Sequence, residues 1–166
     1  DANVVVDCFR VMDRVRRDLM FRRRWRLDLD PGRLTVSGYA QQVDLPSCRI
    51  NLSPIQRALY HFFLKHPEGV RLVDLRDAHH VAELTQLYHV VATKGNRQEQ
   101  ATTIRAVVED LEGKLQQHLS RIRRAFRQAL GFGEAGLYSI EGVPAEPYRI
   151  GLERQFVLWT DREGHR

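Results

Sequence analysis

The spacing of apolar residues along this chain changes period twice, and that change fixes the kind of fold it can adopt. From 21 to 52 the period is two. Phe21, Arg23, Trp25, Leu27 and Leu29 share one side of FRRRWRLDLD, and Leu34 and Val36 alternate with Thr35 and Ser37. From 53 to 130 the spacing lengthens to three and four, the repeat of helices. From 137 it returns to two. Strands first, helices next and a closing hairpin make an α+β domain.

Punctuation places the elements. Asp30-Pro31-Gly32 is a turn, Gly38 breaks the second strand, and QQVDLP and CRINL supply two more short strands of a small antiparallel sheet. Ser53 and Pro54 open a helix over 53–66, with Ile55, Leu59, Phe62, Phe63 and Leu64 inward; Pro67-Glu68-Gly69 stops it. Val70-Arg71-Leu72 can form a bridge strand. A helical stretch over 74–92 follows, its first turn or two separable, with Val81, Leu84, Leu87, Tyr88 and Val91 on one face. Residues 98–109 read as a short polar helix with Ile104, Val107 and Val108 inward.

The helix over 114–130 is strongly two-sided. Leu115, Leu119, Ile122, Phe126, Ala129 and Leu130 fall in one arc at 100° per residue. Arg124 sits at the centre of the opposite face, among Gln117, Ser120, Arg121, Arg127 and Gln128. Gly131 and Gly133 are suitable breakers. Leu137-Tyr138-Ser139-Ile140 and Tyr148-Arg149-Ile150-Gly151-Leu152 frame EGVPAEP as a hairpin, with Tyr138 and Tyr148 facing across it. At the other end, Val5, Cys8, Met12, Val15 and Leu19 give residues 4–20 a helical seam, able to dock on the body or to pair with a second copy.

Charge narrows the partner. The net charge is +5, and only three of the 26 cationic residues are lysine. Arginine favours planar, bidentate partners such as phosphate, carboxylate and guanine edges. Residues 1–26 carry eight arginines against four aspartates, and 114–133 carry five cations and no acid, leaving the remainder acidic. Two basic segments on an acidic body suit an anionic partner. Other chemistries find no support. No HExxH, GxSxG, GxxxxGK[ST] or GxGxxG occurs. His79 and Glu83 are one turn apart with no third ligand spaced to join them. Cys8 and Cys48 read as inert buried thiols. No apolar run is long enough to span a membrane. There is no basic-then-apolar leader, so a cytoplasmic, reducing setting is the expectation.

Four segments in order resemble a known family: DLDPGRLTVSGYAQQVDL, INLSPIQRALYHFFLKHPEGVRLVDL, HLSRIRRAFRQALG and LYSIEGVPAEPYRIGL. They are similar to the OmpR/PhoB-type winged helix-turn-helix of bacterial response regulators. The resemblance covers 28–152 with gaps. It implies a winged-helix domain over 22–160 with three core helices and a C-terminal hairpin wing; the seam gives an N-terminal helix over 1–21 before it, and the tail over 161–166 should fray. Residues 94–113 stand as an insertion, and the wing carries Glu141 and Glu146 where the family has a basic residue and a glycine. Residues 1–20 are too few for a receiver domain, so a stand-alone form without phosphorylation-driven control is expected.

The function so implied is transcription regulation by binding double-stranded DNA, with no enzymatic activity, metal, cofactor or small-molecule ligand. Gln117, Ser120, Arg121, Arg124, Arg127 and Gln128 would enter the major groove, while Lys114, Arg123 and Arg149 would hold phosphates. The alternative is a protein-interaction module on the same scaffold, favoured by the acidic wing and the 4–20 seam, which would then be a homodimer interface. RNA binding ranks third, because no aromatic-flanked basic sheet is present.

Overall fold

The computed structural model describes residues 24–30, 33–40, 43–92, 94–154 and 157–159 of the 166. The expected 4–20 helix, the 161–166 tail and the Pro31-Gly32 turn lie outside these residues. The described residues form a mixed α+β fold with five α-helices, and none of its helices is long and apolar enough to cross a membrane.

Strands β1 (Arg24–Asp30), β2 (Arg33–Ala40) and β3 (Val43–Ile50) form an antiparallel meander. A last strand, numbered β6 in chain order (Val157–Trp159), adds parallel to β1, giving the order β3-β2-β1-β6. A parallel neighbour needs a long crossover, and here the whole helical body supplies it. Gly38 does not end the second strand. Ser37 pairs with Ser47 and Tyr39 with Asp44, so Leu45 and Pro46 together oppose Gly38. This β-bulge on an edge strand tolerates a proline, which has no N–H to give. The bulge also fuses the two strands expected from QQVDLP and CRINL into one.

Helix α1 (Pro54–Lys65) is the centre of the body, with Ala58 through Leu64 all buried. Ser53 and Gln56 form a capping box: Gln56 N donates to Ser53 Oγ at 3.4 Å, and Ser53 N donates to Gln56 Oε1 at 3.0 Å. Arg154 serves the opposite end. Its guanidinium donates to the Leu64 carbonyl at 2.5 Å and to the Phe63 carbonyl at 3.1 Å, two groups in the last turn of the helix, where carbonyls run out of intrahelical partners.

A 3₁₀ turn (Leu72–Arg76) leads into α2 (Ala78–Val91), matching the separable first turn read from the sequence. Helix α3 (Arg97–Glu109) buries Ile104, Val107 and Val108 as expected. It lies in the stretch expected as an insertion, yet these residues belong to the main apolar core. A π turn (Leu111–Leu115) then opens α4 (Gln116–Leu130), and α5 (Phe132–Tyr138) follows directly. The expected three core helices are therefore joined by α3 and α5.

Helix α5 replaces the first half of an expected strand. Gly131, with φ +79°, ends α4 and lets the chain start a new helix at once. Tyr138 lies in that helix. Its ring stacks on Phe126 at 6.4 Å, and its carbonyl accepts a buried bond from the Tyr60 hydroxyl at 2.5 Å. Tyr138 and Tyr148 thus do not face each other across a hairpin. The hairpin itself is short: β4 (Ile140–Glu141) pairs with β5 (Arg149–Ile150). Val70 joins it through paired bonds with Tyr148, each 2.9 Å, so the bridge read from Val70 forms. Gly69 permits this approach. Its φ is +86°, and a Cβ there would stand 2.9 Å from the Tyr148 carbonyl oxygen.

The core gives stability a pH dependence. Burial, reinforced by nearby Arg57 and Lys65, pushes His61 down to about 4. The neutral ring is therefore what the folded state holds, while the unfolded chain takes up a proton near pH 6.5. Stability is complete above that value and falls as pH drops toward 4, by roughly 3 kcal/mol in all. Urea unfolding from pH 7 to pH 4 should show this fall, and His61→Leu should flatten it. A variant with an unchanged slope would contradict the assignment.

Candidate nucleic-acid interface

The site is built on α4 and on what precedes it. Asp110 closes the π turn: its carboxylate accepts from Gly113 N at 3.0 Å and Lys114 N at 3.2 Å. A Cβ on Gly113 would stand 2.6 Å from either carboxylate oxygen, so a larger residue there would push the Asp110 cap aside. The turn delivers Leu115 into the core. Leu115, Leu119, Ile122 and Phe126 are all fully buried, in the 4-3-4 spacing of one helix stripe.

Burying that stripe turns the other face to solvent. Gln117, Ser120, Arg121, Arg124, Arg127 and Gln128 are exposed, as expected from the sequence. Ser120, Arg123, Arg124, Arg127 and Gln128 line one open recess of about 500 Å³. Lys114, Gln117, Arg121 and Arg149 are not part of that lining. Lys114 is exposed in the π turn rather than in the regular helix, and Arg149 is exposed on β5.

Arg123 is the half-buried member of the set. Its Nε donates to Glu141 Oε1 at 3.2 Å, and Ser139 Oγ donates to the same oxygen at 2.6 Å. Arg149 stands opposite Glu141 in the β4–β5 register. One of the two acids expected on the wing, Glu141, therefore has a cationic partner within the fold. Glu146, the other, is exposed near the hairpin tip, where Ala145 (φ +70°) follows Pro144 in a turn closed by Glu146 N on the Val143 carbonyl. His118, half-buried on α4, is held below its usual range by burial and then by the charge of Arg121. At neutral pH the positive charge of this face accordingly comes from arginine and from Lys114.

Two further groupings escaped the sequence reading. A recess of about 640 Å³ lies between α2 and α3, with Arg76, Arg97 and Arg105 among its lining residues. Arg76 comes from the 3₁₀ turn and Arg97 and Arg105 from α3, so no single local motif announces them. Arg76 donates to the Glu109 carbonyl at 2.9 Å and to the Val108 carbonyl at 3.3 Å, satisfying the end of α3. The second grouping concerns His79. Glu83, the partner considered from spacing, is held by His66 Nε2 at 2.9 Å. Asp77 takes its place: Asp77, His79 and His80 each bring a ligand atom within 4.8 Å of the others.

No family model, curated protein or solved structure matches this chain.

The Arg123–Glu141 pair is partly exposed, at 26% and 42% of its side chains, so solvent screens it. A double-mutant cycle with Arg123→Ala and Glu141→Ala should give a coupling of about 0.5–1 kcal/mol in urea unfolding. A coupling of zero would show that the β4–β5 hairpin is not tied to α4 by this bond.

Proposed function

We propose that this chain is a DNA-binding regulator of winged-helix form, reading the major groove with α4. The observation that carries the reading is the recess on α4. Ser120, Arg123, Arg124, Arg127 and Gln128 occupy one face of a helix whose other face is locked in the core. That arrangement presents long polar donors on a rigid element, which base readout requires. Arginine matches guanine O6 and N7, and glutamine matches adenine N6 and N7. Ser120, Lys114 and Arg149 suit phosphate oxygens.

Topology supports the same reading. Val70, between α1 and α2, adds to the terminal hairpin through Tyr148, so the hairpin is joined to the helical body as a wing. The pairing of Glu141 with Arg123 removes much of the repulsion that an acidic wing would exert on a phosphate backbone. One observation favours a protein partner instead: Leu137 and Val143, on α5 and at the hairpin tip, are half exposed. Apolar groups there suit a protein surface better than a phosphate backbone.

Fluorescence anisotropy with a mixed-sequence duplex, at low and physiological salt, separates the two readings. Binding should weaken steeply as salt rises. Arg124→Glu should lose most of the affinity and reduce the slope of log K against log salt by about 1. Absence of wild-type binding at low salt, where non-specific affinity is strongest, would overturn the DNA reading and leave the protein-interaction module.

A further inference from the structure

At the start of α2 the chain places two imidazoles and a carboxylate together. Asp77 is the N-cap residue, His79 and His80 lie in the first turn, and a ligand atom from each falls within 4.8 Å of the other two. The histidine rings are 3.9 Å apart between centroids. We propose that Asp77, His79 and His80 bind one divalent transition-metal ion of the zinc class, with the remaining position open to water.

The donor set fits that ion. Two borderline imidazole nitrogens beside one hard carboxylate oxygen suit zinc and its neighbours rather than magnesium or calcium, which take all-oxygen sites. The carboxylate offsets one of the ion's two charges. As an N-cap, Asp77 would ordinarily accept a bond from the helix's own amides, but its side chain makes no such bond. A carboxylate here, making no cap bond, counters the weak repulsion that a helix N-terminus exerts on a cation.

His80 is oriented as metal-binding histidines are. Its Nδ1 lies 2.7 Å from the Asp74 carbonyl oxygen, a bond in which the ring N–H donates. That fixes the tautomer and leaves Nε2 as a lone-pair donor. The ring is held further by an edge contact with Phe62 at 5.3 Å. Neighbouring cations are turned elsewhere. Arg71 is bound through two nitrogens to Asp74, at 2.8 and 2.9 Å, and Arg76 faces the carbonyls of Val108 and Glu109. Asp77 sits at the junction between the 3₁₀ turn and α2, and His79 and His80 in the first turn of α2, so a bound ion would fix the start of that helix. The proposal does not depend on the DNA reading.

The test is titration of the metal-stripped full chain with Zn²⁺ by calorimetry, repeated with Co²⁺ by visible absorption. One saturable equivalent is expected, with a Co²⁺ spectrum typical of mixed nitrogen and oxygen ligands. Asp77→Asn, His79→Ala and His80→Ala should each weaken binding by about tenfold or more. Asp77 and His79 are exposed, so their variants should unfold at the wild-type temperature and report on binding alone. His89→Ala should leave binding unchanged, since that ring is bonded to Gln100 at 2.8 Å. No saturable binding at micromolar Zn²⁺, or binding that survives His79→Ala unaltered, would overturn the proposal.

Discussion

The functional account of this chain rests on the apolar stripe of α4. Leu115, Leu119, Ile122 and Phe126 are sealed in the core, and exposing any one of them costs a few kcal/mol of transfer free energy. The helix therefore cannot rotate about its axis. With rotation forbidden, the arc opposite the stripe must face solvent, and in this sequence that arc is arginine, glutamine and serine. The cationic surface follows from the packing, so the face proposed to bind DNA is preorganised.

The rest of the fold holds that helix in place and sets what lies beside it. Tyr60 reaches from α1 to the Tyr138 carbonyl, while its ring lies 4.9 Å from that of Phe126 on α4. Arg154 gathers the carbonyls of Phe63 and Leu64, and also those of Ile150 at the end of the hairpin and Leu152 just past it. A guanidinium satisfying carbonyls at the end of a helix also meets the negative end of its dipole. Through these bonds and the Val70–Tyr148 bridge, the central helix fixes the β4–β5 hairpin. The hairpin in turn holds Glu141 against Arg123. This moderates the field around the recess without removing it, because Arg124 and Arg127 remain exposed.

Much of this was legible in the sequence. The period changes, Ser53-Pro54, and the two-sided pattern of 114–130 each act locally, so residues near in sequence announced them. What was missed depends on residues far apart or on subtle backbone choices. The parallel pairing of β6 with β1 spans the whole domain. Gly38 has no way to signal, on its own, that Leu45 and Pro46 will bulge opposite it. Leu137-Tyr138 alternates like a strand, but the Tyr60 bond and the Phe126 stack favour a helix there. At the site, exposure of the α4 face was readable from spacing, whereas the engagement of Arg123 by Glu141 required the fold. Asp77 joined His79 and His80 because an N-cap stands outside the helical repeat that pointed to Glu83.

The claim that the outward face of α4 is the binding surface is tested most directly by amide chemical shifts. An isotope-labelled sample would be titrated at low salt with a short mixed-sequence duplex. The account predicts the largest perturbations in Ser120 through Gln128, with a second set at Arg149 on β5. Perturbations centred on the α2–α3 recess, or none at all with duplex in excess, would contradict it.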